Sequence, residues 1–191
     1  FNKSIMGEEL HFDSNEYYKY EFFNKMYSQY ITISSLKNGS LYHTDEGTYK
    51  VNDITSVIVL LRSTLETLLM FYYLFLDARD TEEFIFRLNC WRHQGILTRY
   101  NLSKQSSNYQ QNGMLQDQKR LKDLSNQIKD SIYWKSITNI KKFNQFGTFS
   151  PSWNTLLKKI SANKFITNTI YSFFSSYAHS EYLNLSQLTI L

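Results

Sequence analysis

Arg62 and Glu66 interrupt an otherwise apolar run, Ile58-Val59-Leu60-Leu61-Arg62-Ser63-Thr64-Leu65-Glu66. On a helix their spacing puts both side chains on one face, one turn apart. Apolar neighbours turn that face inward, where an unpaired charge is costly. The two residues therefore read as an ion pair that fixes helix register or as two walls of a polar pocket. If the pair is buried, Glu66→Ala costs about 3–5 kcal/mol, the penalty for an orphaned charge. A second group, Ser172, Ser175 and His179, recurs at spacings of three and four. A serine hydroxyl beside an imidazole holds the parts of a nucleophile and its base. Two side chains on one helix seldom align as a hydrolase requires, however, and no glycine-rich oxyanion hole accompanies them. His179 then reads as a structural histidine bonded across to Glu66, or as a ligand-binding or acid–base residue. The candidate catalytic cluster is His179, Arg62, Glu66 and Ser175, with His179 approaching Arg62 and Glu66 from another helix.

The third group is Arg87-Leu88-Asn89-Cys90-Trp91-Arg92-His93-Gln94-Gly95. Glu83 and Arg87 can pair at one-turn spacing. Arg87, Arg92 and His93 do not share a face, so they read as helix-surface charges rather than a phosphate clamp. Cys90 reads as a small core hydrophobe. The four histidines, His11, His43, His93 and His179, show no ligand spacing, and one cysteine excludes a thiolate zinc centre. No phosphate loop or dinucleotide fingerprint occurs. No metal and no cofactor are expected.

Helices must position these groups. The chain is one domain's length at 191 residues, with 42% hydrophobic and 20% charged residues, which excludes a disordered class. One proline and six glycines argue against a turn-rich β-sandwich. A first helix is expected over about 8–36, its inner face made by Phe12, Tyr20, Phe23, Tyr27, Tyr30 and Ile31, and ended by Asn38-Gly39. A loop, with room for a short hairpin around Glu46-Gly47, comes next over 40–50. A second helix, capped by Asn52 or Asp53, spans about 52–76 and reads as a buried central helix. Its longest apolar run, Leu68 to Leu76, is short of the about 20 residues that a membrane span needs. Asp80-Thr81-Glu82-Glu83 opens a third helix with a capping-box-like start and carries it to about Tyr100. A polar linker over 103–113 leads to a fourth helix over about 115–143, with Leu121, Leu124, Ile128, Ile132, Ile137 and Ile140 as its core stripe. Pro151 suits the first turn of a short fifth helix over 152–161. A sixth spans about 163–180. The expected fold is all-α, a single helical bundle of five to six helices over residues 1–191. The start at Phe1 suggests an upstream piece.

Charge is unevenly divided. Residues 1–100 hold 10 Lys+Arg and 13 Asp+Glu, whereas residues 101–191 hold 11 and 4. A basic half hints at an anionic partner, and a solvated lysine face is the simpler alternative. Lys119, Lys122 and Lys129 share the outer face of the fourth helix and are the expected contacts. The single Cys90 forms no internal disulfide, which suits a reducing, cytoplasmic compartment.

Arg62-Ser63-Thr64-Leu65-Glu66, Trp153, and then Tyr171, Ser175 and His179-Ser180 together carry a family likeness. They resemble an uncharacterised bacterial all-helical family, a domain of unknown function grouped near the HEPN-like helical domains, over about residues 51–185. The resemblance implies a helical bundle and a homodimer. In active members it implies metal-independent RNA cleavage in toxin and phage-defence systems, by an Arg and a His on one helix with four to six residues between them. The corresponding positions here are Ser172, Phe173 and Phe174, so that Arg is absent. The expectation is a non-catalytic module that binds nucleic acid or a protein partner in a regulatory or defence system, without a membrane span. The alternative is a degenerate HEPN-type ribonuclease using His179 with Arg62 and Glu66.

Overall fold

The computed structural model describes residues 3–5, 8–10, 14–104, 111–137, 140, 143, 149–160, 163 and 169–178. The fold is all-α, with six α-helices and two small hairpins among the described residues. The chain groups into two compact units, Phe1–Tyr72 with Ser152–Leu191, and Tyr73–Pro151.

In the first unit, β1 (Lys3–Ile5) and β2 (Glu8–Leu10) pair antiparallel, Lys3 opposite Leu10 and Ile5 opposite Glu8. Glu8–Leu10, expected to open the first helix, is therefore a strand, and α1 runs over Ser14–Leu36. The acidic residues suit a helix start, but strand pairing overrides that weak local preference. The expected inner face of α1 is also corrected. Phe22 is buried, whereas Phe23, Tyr27, Tyr30 and Ile31 are exposed; Phe12 lies outside the described residues. Phe22 meets Phe71 edge-on, with ring centroids 6.0 Å apart.

Gly39 ends α1 at φ +74°, where its N–H donates to the Leu36 carbonyl. That left-handed conformation favours glycine, and a Cβ there would collide with the Asn52 side chain. The hairpin expected around Glu46-Gly47 is present and takes up the whole segment after Gly39, β3 (Ser40–Thr44) with β4 (Gly47–Val51), placing Tyr42 opposite Tyr49. Its aromatic and β-branched residues favour extended backbone. Leu41, Tyr42, Tyr49 and Val51 are all exposed.

Asp53 caps α2 (Ile54–Phe71) by accepting from the Ser56 N–H at 2.9 Å. A π-helical turn over Tyr72–Leu76 extends it. The combined stretch, 23 residues, is long and apolar enough by length and composition to cross a membrane, and 22% of its most apolar window is buried. It is thus less enclosed than the buried central helix expected: Ile58, Thr67, Leu69 and Phe71 are buried, while Val59, Leu61 and Leu68 are exposed. Helix α1 packs on α2, as do α5 (Trp153–Ile160) and α6 (Tyr171–Ala178). Ser152 caps α5, its hydroxyl accepting from the Thr155 N–H, so Pro151 lies just before the helix rather than in its first turn. Leu156 and Leu157 fill the inner face of α5.

In the second unit, α3 (Thr81–Ser103) packs antiparallel on α4 (Gln111–Asp130), since Asn89 reaches Gln127 and Arg99 reaches Asp117. Asp80 caps α3 as expected, accepting from the Glu83 N–H at 2.8 Å. Helix α4 stops at Asp130, well short of the expected end. Ser131 caps a 3-10 turn over Ile132–Ser136. The break puts Ile132 and Ile140 at the surface, while Leu124, Ile128 and Ile137 stay buried. Phe86, Cys90, Ile128, Ile137 and Phe143 form the core, walled by Tyr133, Trp134 and Phe149.

Candidate functional site

Arg62 Nε donates to Glu66 Oε1 at 3.1 Å, so the sequence-predicted pair forms. Its side chains retain 21% and 29% of their exposure, which makes the pair half-buried rather than enclosed. Beside it, Gln29 of α1 donates to Ser63 at 2.8 Å. Helix α6, which carries Ser175, packs on α2. Ser175 is half-buried and Ser172 exposed. His179 lies outside the described residues. Glu66→Ala is expected to cost about 1–2 kcal/mol, between the exposed and buried limits for a salt bridge. Urea unfolding measures it; a loss under about 0.5 kcal/mol would mean that water already carries the charge of Arg62.

The densest polar cluster is in the second unit, around a residue that sequence reasoning placed at the surface. Arg87 is buried, with only 8% of its side chain exposed. Its Nη2 donates to Glu83 Oε1 at 2.7 Å, and its Nη1 donates to Asp77 Oδ2 at 3.1 Å and to the Tyr73 carbonyl. The guanidinium also lies 4.1 Å above the Tyr73 ring centroid. Glu83 Oε2 accepts from both the backbone N–H and Nε of Arg79. Burial alone would raise the carboxyl of Glu83, but the donors from Arg79 and Arg87 outweigh it and bring it down to about 2. Desolvation pushes the Tyr73 phenol up to about 12. Tyr133 donates to Asp80, which lowers that exposed carboxyl. The Glu83–Arg87 spacing was visible in the sequence. Asp77 and Tyr73 were not, because they precede α3 and approach it only through the fold.

His93 is the other correction. It is buried, stacked on Phe143 with ring centroids 5.2 Å apart and planes 18° apart. Its Nδ1 has no hydrogen-bond partner among the described residues. Burial, and secondly the charge of Lys129, lowers its pKa below the ordinary histidine value. Cys90 is buried as expected, its thiol pushed up to about 12 by desolvation, so it is no nucleophile. Arg92 alone of this segment's three basic residues is at the surface.

Lys119, Lys122 and Lys129 are exposed on α4, as the sequence predicts. Counted at 100° per residue they fall within an arc of about 80°. Arg120 is exposed too, on a different side of the helix. Inward on the same helix, Asp117 is held in a bidentate pair by Arg99, with 3% of the aspartate side chain exposed. This arrangement can bind an anion. Among the described residues, no three His, Cys, Asp or Glu converge as a metal set.

No curated protein and no solved structure matches the chain. A family model covers nearly all of it. Residues 16–190 match DUF5677, a family of unknown function, and the chain belongs to that family.

Proposed function

We propose that the chain is a non-catalytic module whose Tyr73–Pro151 unit binds nucleic acid through the outer face of α4. One observation carries the reading. Among the described residues of this unit, nine exposed Lys and Arg stand against four exposed Asp and Glu. Three further carboxylates, Asp77, Glu83 and Asp117, are turned inward onto arginines, and two of those arginines, Arg79 and Arg99, belong to the exposed set. Surfaces ordinarily mix the two signs. On α4 the exposed Lys119, Lys122 and Lys129, with Asp123 and Asp130 along one edge, leave a face of net positive charge to solvent, the kind of footprint that meets a phosphate backbone. No base-reading device accompanies them, so the binding is of the positioning, sequence-tolerant kind.

The test is anisotropy of a labelled 20-nucleotide single-stranded RNA across a potassium chloride series. Three phosphate contacts predict a slope of log affinity against log salt of about −2. Reversing all three lysines to Glu should abolish binding with the helical circular dichroism unchanged. Absence of RNA binding at low salt would defeat the reading. RNA cleavage without metal, lost on His179→Ala, would replace it with a ribonuclease centred on His179, Arg62 and Glu66. The packing of α6 on α2, which carries that pair, favours this as the second reading.

A further inference from the structure

Helix α1 turns a contiguous apolar stripe to solvent. Phe23, Tyr27, Tyr30 and Ile31 recur at helical spacing and are 57%, 65%, 63% and 46% exposed. At about 150–250 Å² per aromatic side chain, the stripe leaves about 450 Å² of mostly apolar surface on one helix. That is as large as the largest patch on a typical monomer, about 300–600 Å², and such patches are commonly functional.

The order of residues along the stripe is self-complementary. Let two copies of α1 cross antiparallel about a two-fold axis beside Tyr27. Tyr27 then meets its own copy, and Phe23 meets Tyr30 and Ile31. Continued to the helix ends, the same register brings Glu16 to Lys37. Both are exposed, and both lie in or beside the arc of the stripe. A parallel pairing would instead oppose Glu16 to Glu16 and Lys37 to Lys37. In the single copy Glu16 accepts from Lys19 at 3.0 Å, and exchanging one exposed partner for another costs little.

We propose that this face of α1 is a homodimer interface, in which α1 pairs antiparallel with α1 of a second copy about a two-fold axis at Tyr27. The apolar stripe supplies about half of the roughly 800 Å² per partner found in a standard interface. An isologous contact closes on itself, so assembly stops at two copies.

Sedimentation of the 191-residue chain over a concentration series tests the state, and three substitutions test the geometry. The wild type should sediment as a dimer at micromolar concentration. Tyr27→Glu places like charges across the axis and should weaken the dimer at least a hundredfold with helicity retained. Glu16→Lys should weaken it severalfold, and Glu16→Lys with Lys37→Glu should restore it. Tyr27→Cys should give a disulfide-linked dimer on mild oxidation, since Cys90 is buried and cannot compete. A monomer at 100 µM (a concentration chosen for the experiment, about the weak limit for a specific dimer), or a dimer indifferent to Tyr27→Glu, would overturn the proposal. So would a double charge swap no better than the single one. An apolar partner other than a second copy would show itself as a monomer.

Discussion

Arg87→Ala is expected to cost about 3–5 kcal/mol, the penalty for leaving buried charges without their partner. The variant removes the donor that Glu83 and Asp77 share and the cation over the Tyr73 ring. Arg79 still holds one oxygen of Glu83, so the bond to the Tyr73 carbonyl and the contact with the Tyr73 ring are what is lost outright. Urea unfolding followed by circular dichroism measures the loss. Arg92→Ala, at an exposed site on the same helix, should change stability by no more than about 0.5 kcal/mol. An equal response from the two arginines would show that water reaches Arg87. The cluster also sets an acid limit. The Glu83 carboxyl is depressed when folded, so its contribution is full above its ordinary value and is lost as pH falls from there towards about 2. In Arg87→Ala the folded carboxyl is less depressed, so that loss should be smaller and be complete at higher pH than in the wild type.

The sequence carried the helical class, most element boundaries and the Arg62–Glu66 and Glu83–Arg87 pairs, because all of these rest on spacing within one helix. It carried the inward faces less well, and the reasons are local. In Tyr17-Tyr18-Lys19-Tyr20-Glu21-Phe22-Phe23 large rings fall on several faces of α1, so more than one stripe satisfies a helical period. Burial selects Phe22 and leaves Phe23 half out, and only the position of Phe71 decides between them. Beyond Asp130, Ile132, Ile137 and Ile140 continue the period of α4 by coincidence. Ser131 is the signal that was available, since its hydroxyl accepts from the Tyr133 N–H and starts a tighter turn. Arg87 and His93 read as outward because charged and polar residues usually are. The groups that reverse that rule, Asp77, the Tyr73 carbonyl and the Phe143 ring, lie outside α3, where no one-turn spacing can reveal them. The basic face of α4 was readable because a long polar helix needs no distant partner to expose its lysines. Its excess over neighbouring acids was not, because that depends on which carboxylates are buried.

Phe143→Ala should produce the other large loss, about 3–5 kcal/mol for truncating a fully buried ring. The Phe143 ring packs edge-on against Trp134, with centroids 5.6 Å apart, and lies flat against His93. Its removal also admits water to the imidazole, and that gives a readout that a merely smaller core would not. In the wild type burial, and then the Lys129 charge, keeps His93 neutral to lower pH than in the unfolded chain. The unfolded state therefore binds a proton first, and stability falls as pH drops through about 6.5 until the folded histidine titrates in turn. Nδ1, without a partner among the described residues, gains one from entering water. The His93 resonance should then titrate closer to about 6.5, and the stability of Phe143→Ala should depend less on pH between neutral and mildly acid conditions. A variant that is less stable yet titrates His93 at the wild-type pH would show that Phe143 fills space without controlling the hydration of the histidine. Desolvation by the rest of the surrounding core, with the Lys129 charge, would then be the cause of the depressed value.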